Sequence, residues 1–202
     1  MILTVASYKG GVGKTTTAMH LAAYLQRLGP TILFDGDTTR NASRWARRRQ
    51  ESDGPFPFTV APEEHTAKLV RDFEHIVMDT GQKPTDEVLR ALVAGCDLLV
   101  VPSVPSFLDS DGLGETIRAL QEIPDANYRV LMTRVPPDAA TAAGELRREL
   151  MAAGVPMFAA EIPRLKAYEK AAGAGLVVGE VDDRNAERAW AAYLDAGSEL
   201  GL

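Results

Sequence analysis

The chain has 202 residues, 46% hydrophobic and 25% charged, which is enough apolar content for a buried core and leaves no low-complexity stretch. A net charge of −6 excludes a wholesale polyanion binder but allows a local basic patch. The single Cys96 excludes an internal disulfide and any all-cysteine metal or iron–sulfur cluster within one subunit, and it fits a reducing, cytoplasmic setting.

The chain opens on "ILTVA" (2–6), which reads as a buried strand. No basic segment precedes it and its apolar run is short, so it is neither a signal peptide nor a membrane span. It leads into "SYKGGVGKTTT" (7–17) and a helical pattern over 15–28. Strand, glycine-rich loop and helix in that order are the context of a phosphate-binding loop. Backbone N–H groups from Gly11 to Thr15 can cradle phosphate oxygens, backed by the partial positive charge of the helix N-terminus. Lys14 is expected at the β- and γ-phosphates, the Thr15 hydroxyl on Mg²⁺ and Thr16 at the α-phosphate. Gly10, Gly11, Val12, Gly13, Lys14, Thr15 and Thr16 thus form the nucleotide-binding loop. It departs from the common pattern G-x-x-x-x-G-K-[ST] in carrying Tyr8 at the first glycine position, and it adds a second lysine, Lys9.

A strand over "TILF" (31–34) runs into Asp35 and Asp37. A carboxylate beside Mg²⁺ and the γ-phosphate can orient water without a raised pKa, because phosphoryl transfer depends chiefly on positioning. Asp35 holds either the loop or outlying waters. The following helix, 41–51, contains "RNASRWARRRQ" (40–50). Arg40, Arg44, Arg47 and Arg48 fall at helical spacing on one face, with Arg49 and Trp45 beside it. Such a patch suits the phosphates of DNA, or else forms a solvated face paired to acidic neighbours.

"FPFTV" (56–60) reads as an edge strand interrupted by Pro57, followed by a helix over 63–73. "HIVMD" (75–79) is a strand ending in Asp79, the pattern of a Walker B carboxylate that holds Mg²⁺. Thr15, Asp37 and Asp79 are therefore the metal-facing set. Helices over 84–94, 109–123 and 139–153 alternate with strands "DLLVVP" (97–102), "YRVLMT" (128–133) and "VPMFAAEI" (155–162). Next comes "IPRLKAYEKAAGAG", whose helix carries Arg164, Lys166 and Lys170, and then a C-terminal helix over 183–196. That last helix has too few basic residues for a membrane surface and is expected to dock on the fold. His20, His65 and His75 are scattered and read as helix-surface or strand-entry residues, and Cys96 as packed core.

Continuous apolar strands alternating with helices predict an α/β fold: a doubly wound, mostly parallel sheet with helices on both faces, forming a single domain over residues 1–202. Ligands on such sheets bind at the carboxyl ends of the strands, where these loops lie.

"KGGVGKTT" (9–16) resembles the deviant Walker A motif, K-G-G-x-G-K-[ST], of the ParA/MinD family of P-loop ATPases. The likeness extends to "FDGDTTRN", where the family shows D-x-D-P-Q, and to "HIVMDT". It implies an ATP-sandwich homodimer in which Lys9 reaches the partner's nucleotide, with Lys9, Lys14 and Asp37 as the catalytic set and Asp37 positioning the attacking water. Thr38-Thr39 replaces the family's Pro-Gln. Related GTPases carry a guanine-reading aspartate where this chain has Thr133-Arg134, and Asp138 lies too far on. That favours adenine, with Arg134 against the base and Pro163 bordering it. "VPSVPSFLDSDGL" (101–113) resembles an interface segment of the short partition ATPases.

Cysteine-dependent and membrane-helix members of the family do not match. The chain is similar to the short partition ATPases, which implies ATP and Mg²⁺ as cofactors, non-specific DNA binding by the ATP dimer, and slow hydrolysis. It further implies a centromere-binding, ParB-like partner, a nucleoid-associated cytoplasmic location and no membrane. The rival readings are a nucleotide-switched scaffold that positions a protein cargo without DNA, and an ATP-dependent metabolic synthetase on the same scaffold.

Overall fold

Six of the apolar runs become strands of one sheet, and "TVAP" adds a seventh. In the computed structural model, which describes all residues except 53, 82, 106–109 and 138–139, β1 is Ile2–Val5, β2 Thr31–Gly36, β3 Thr59–Pro62 and β4 His75–Thr80. β5 is Leu98–Ser103, β6 Tyr128–Val135 and β7 Met157–Pro163. Their order is β3-β2-β4-β1-β5-β6-β7, and every described pairing is parallel. The central strands are buried on both faces, which is why they read as unbroken apolar runs rather than alternating ones.

The helices are α1 (Lys14–Leu25), α2 (Asn41–Ser52), the short α3 (Thr66–Leu69), α4 (Asp86–Ala94), α5 (Ser110–Gln121), α6 (Ala140–Ala152), α7 (Lys166–Ala174) and α8 (Ala186–Ser198). Leu3, Val5, Leu33, Val77, Val100 and Leu131 point to the face covered by α1, α2, α7 and α8. Leu99, Val101 and Val130 point to the opposite face, against Leu89 of α4 and Leu113, Ile117 and Leu120 of α5. The C-terminal helix docks as expected, with Tyr193 and Ala196 fully inside.

Four expectations need correction. β3 does lie at a sheet edge, but it starts at Thr59, beyond Pro57, and ends at Pro62. The helix expected over 63–73 is three short turns, Glu63–His65, Thr66–Leu69 and Val70–Asp72. Only Leu69, Val70 and Phe73 meet the sheet, too few apolar positions for a continuous amphipathic face. His20 is on a helix but not on its surface: it is fully buried, with four aromatic rings around it. Cys96 is half-buried rather than fully packed. Part of the proline-rich stretch 101–113, namely residues 106–109, lies outside the described residues, as does Asp138.

One joint fixes α2 on the sheet. Gly175 ends α7 in the left-handed region, φ 73°, and a Cβ there would lie 2.3 Å from the backbone nitrogen of Arg49 and 2.8 Å from the carbonyl carbon of Arg48. The α7 terminus thus rests directly on the α2 backbone. Gly175→Ala should therefore cost roughly 2–4 kcal/mol, from backbone strain plus overpacking, read as a lower urea midpoint. A midpoint equal to the parent's would mean that the two helices separate freely.

Candidate functional site

The loop after β1 owes its shape to Gly11 and Gly13, at φ 76° and 89°. Gly13 is also the N-cap of α1, and no side chain caps that helix, so its first-turn N–H groups remain for an anion. The loop carbonyls, by contrast, are occupied. Lys14 Nζ donates to Lys9 O at 3.3 Å, Arg134 Nη1 to Gly11 O at 2.8 Å, and Thr133 Oγ1 to Val12 O at 2.7 Å. Tyr8 stands where a glycine is usual and acts as a strut. Its hydroxyl donates to Asp86 Oδ1 of α4 at 2.8 Å, and its N–H to Thr116 Oγ1 of α5 at 3.2 Å.

The two lysines line different clefts. Lys14 is buried and borders a cleft of about 370 Å³ with Gly11, Gly13, Thr15, Thr16 and Asp37. Burial pulls its pKa down, while Asp79 and Asp37 pull it up. Lys9 instead borders a neighbouring cleft of about 540 Å³, with Gly10, Val12, Arg134 and Arg164. Its stem lies against α5, where a Cβ on Gly112 would come within 3.2 Å of Lys9 Cβ.

Parallel register sets Asp35 beside Asp79 at the ends of β2 and β4. Asp35 is fully buried and structural: Oδ1 accepts from Asp37 N at 3.2 Å, and Oδ2 from Ser43 N and Oγ at 2.8 and 2.7 Å. It holds the loop and the first turn of α2. Asp37 lines the Lys14 cleft, and its Oδ1 accepts from both Thr39 N and Thr39 Oγ1, each at 2.8 Å. The Thr-Thr pair therefore gives this loop a defined conformation.

Asp79 is fully buried, and neither carboxylate oxygen has a hydrogen-bond partner among the described residues. Burial, with Asp35 and Asp37 adding to it, pushes its pKa up to about 7; the nearby Thr15 side chain and Lys14 oppose the shift. Asp79 borders a smaller cavity of about 190 Å³ with Gly36, Glu63 and Thr80, and not the Lys14 cleft. An unpaired buried carboxylate is costly unless a cation meets it. Asp79, Asp37 and Thr15 offer the hard oxygen donors that suit Mg²⁺, which takes few protein ligands and keeps several waters. The residues present fit the ion.

Thr133, Arg134, Pro163, Arg164 and Leu165 also line the Lys14 cleft. Arg134 and Pro163, expected near the base, thus share the cleft with Lys14. Tyr168 and Tyr193 line it as well. No motif marks these two, since they sit on α7 and α8 and reach the cleft only through tertiary packing.

The arginines do not form one face. Arg40 precedes α2 at φ 51°, and its guanidinium turns inward onto Asp35 O and pairs with Glu64 at 2.8 and 3.0 Å. Arg49 pairs with Glu180 and sits 5.1 Å from the Phe56 ring centroid. Arg48 is exposed but donates to Ala172 O at 2.8 Å. Arg44 and Arg47 are exposed, one turn apart on the outward side of α2.

Comparison with known proteins adds a family. Residues 3–178 match the family described as the CobQ/CobB/MinD/ParA nucleotide binding domain. The maintenance of carboxysome distribution protein A of Gloeobacter kilaueensis is 37% identical over 204 residues, covering 98% of this chain and 93% of that one. The chromosome-partitioning ATPase Soj of Thermus thermophilus is 57% identical over 117 residues, 52% of this chain and 46% of Soj. Among solved structures, the Aquifex aeolicus MinC:MinD complex superposes with a TM-score of 0.77 at 16% identity, over 98% of this chain and 94% of that one. An ATP complex of a Cyanothece McdA variant gives 0.74 at 17% identity, over 100% and 97%.

Because Lys14 is the cation buried among the loop groups of its cleft, Lys14→Ala should weaken ATP binding at least tenfold. Titration with a fluorescent ATP analogue measures this, and unchanged affinity would remove the loop from the site.

Proposed function

The chain belongs to the CobQ/CobB/MinD/ParA family of nucleotide-binding proteins and is a ParA/MinD-type ATPase, and on that premise we propose that it is a single-domain, cytoplasmic positioning ATPase that dimerises on ATP, grips DNA non-specifically and releases it on slow hydrolysis. The observation that carries this reading is the separation of the lysines, Lys14 on the Asp37-lined cleft and Lys9 on the neighbouring basic one. A second lysine on a separate cleft suits a nucleotide held by a facing subunit.

The roles follow. Lys14 and the N–H groups of Gly13, Thr15 and Thr16 hold the phosphates. Lys9 reaches the nucleotide of the partner subunit. Asp37, oriented by Thr39, positions the attacking water. Thr15, Asp37 and Asp79 hold Mg²⁺, which when bound neutralises charge on the β- and γ-phosphates. Arg134 and Pro163 flank the adenine. DNA contact falls to Arg44 and Arg47, with Arg164 and Lys166 as further cations on the same side of the sheet, and a ParB-like protein stimulates turnover. A second reading, a protein body as cargo, is favoured by the 37% identity to a protein named for carboxysome distribution.

Lys9→Ala should bind ATP yet stay monomeric by light scattering, whereas Asp37→Ala should accumulate as an ATP dimer with little turnover. A Lys9→Ala protein that dimerises normally would end the role in trans. For DNA, log affinity should fall against log salt with a slope of about −0.9 per phosphate neutralised, so an ATP dimer should show roughly twice the slope of a monomer. Changing Arg44 and Arg47 to Glu should weaken binding to unrelated duplexes alike and leave nucleotide affinity intact. Wild-type protein that binds no duplex with ATP, ADP or neither would leave the protein-cargo reading in its place.

A further inference from the structure

His20 is the one histidine buried in α1, and its ring touches every helix on its face of the sheet. Nδ1 lies 2.7 Å from Thr16 O, the carbonyl one turn earlier, and Nε2 lies 3.1 Å from Val178 N. A backbone carbonyl can only accept and a backbone N–H can only donate. The ring is therefore neutral, with the proton on Nδ1 and the Nε2 lone pair facing Val178. Burial agrees, pulling the pKa down to about 4 against a smaller opposing pull from Glu180. Both ring nitrogens are thus satisfied by backbone, one on the nucleotide loop's helix and one on the turn between α7 and α8.

The ring faces carry the second set of contacts. Tyr193 of α8 stacks on His20 with centroids 4.7 Å apart and planes 13° apart. Trp45 of α2 and Tyr168 of α7 meet it edge-on at 5.8 and 5.7 Å. Each neighbour is pinned in turn. Tyr193 Oη lies 3.2 Å from Thr17 Oγ1, Tyr168 Oη donates to Ala189 O at 2.9 Å, and Trp45 Nε1 donates to Leu176 O at 3.0 Å. Thr16, Tyr168 and Tyr193 all line the Lys14 cleft, whereas Trp45 sits on the arginine helix and does not. One imidazole therefore spans from the cleft wall to α2.

We propose that His20 is a positioning residue that sets the Thr16 end of the nucleotide loop and transmits occupancy of the cleft to α2 through Trp45. It rests on the assignment of the Gly11–Thr16 loop to ATP, and not on what α2 binds. Rigid, close-packed rings carry a displacement without absorbing it. A shift of Thr16 on phosphate binding moves the Nδ1 acceptor, the ring follows, and the edge contact to Trp45 changes. The chemistry of the two ring nitrogens can be separated by substitution. The amide nitrogen of asparagine sits near the Nδ1 position and can keep the Thr16 bond. The amide oxygen of glutamine sits near Nε2 and can keep the Val178 bond.

The test uses the full chain carrying Trp190→Phe, which leaves Trp45 as the single tryptophan of the original two. Mg²⁺ and a fluorescent or unlabelled ATP analogue are titrated while Trp45 emission, analogue affinity and melting temperature are followed. In this parent, saturation should shift Trp45 emission. His20→Asn should bind within about threefold of the parent, and His20→Gln about tenfold more weakly, the loss expected for one hydrogen bond on the loop. Neither variant should pass the shift to Trp45. A merely structural role would instead lower both affinities in step with melting temperature, and that result overturns the proposal. So does a parent that binds the analogue with unaltered Trp45 emission, a measurement that decides the question even if neither variant folds. A parent that binds no analogue at all is a different failure, that of the loop assignment.

Discussion

A carboxylate at the end of β4, sealed from solvent and, among the described residues, without a hydrogen bond to either oxygen, sets the terms for everything around it. Burying an ionised group in this way is unfavourable by several kcal/mol unless an opposite charge meets it. Lys14 is close enough to pull its pKa down, yet makes no hydrogen bond to it; the lysine bonds a loop carbonyl instead. The site is thus arranged around a charge that its own side chains do not neutralise. On the proposed assignment, a divalent ion bound there with a nucleotide answers that deficit, and ligand affinity and the relief of an internal cost become one event. Asp35 shows the alternative at the same level of the sheet: an equally buried carboxylate satisfied by three donors, whose work is purely structural.

The loop itself illustrates a division between its two kinds of backbone group. Its carbonyls at positions 9, 11 and 12 are taken by Lys14, Arg134 and Thr133, two of which arrive from the end of β6. What remains for a ligand is the N–H side. A concave run of donors would be a poor anion site if carbonyl oxygens could rotate into it, and these contacts prevent that. Tyr8 contributes from outside, bracing the loop to α5 through its backbone N–H and to α4 through a hydroxyl that a glycine in its place could not supply.

The strands and the phosphate loop were legible because their signals are local: an apolar run, a spacing of glycines, a carboxylate at a strand end. Asp35, Asp37 and Asp79 were found for the same reason, though the sequence left Asp35's role open between loop and water. The single face expected for Arg40, Arg44, Arg47 and Arg48 fails because the partners that break it are remote, Glu64 for Arg40 and the Ala172 carbonyl for Arg48. Helical spacing predicts which residues share a face only where they are all inside the helix, and Arg40 is not. His20 was invisible on similar grounds. Its acceptor is one turn away, but its donor lies 158 residues on, and its ring neighbours come from three other helices. The segment 63–73 failed for the opposite reason, since a plausible local pattern met too little sheet to cover.

Asp35 and Asp37 stand two residues apart on one strand end, yet they face different tasks: one carboxylate clasps Ser43 at the start of α2, the other looks into the nucleotide cleft. The helix is therefore fastened at its root, by backbone and hydroxyl contacts that do not depend on what its outer side chains are. Substitutions on the solvent side of α2 leave that fastening and the water-facing carboxylate untouched. On the proposed function, a descendant lineage can thus rewrite the surface that meets cargo while inheriting its clock unchanged, the kind of modularity that lets one engine be refitted to many loads.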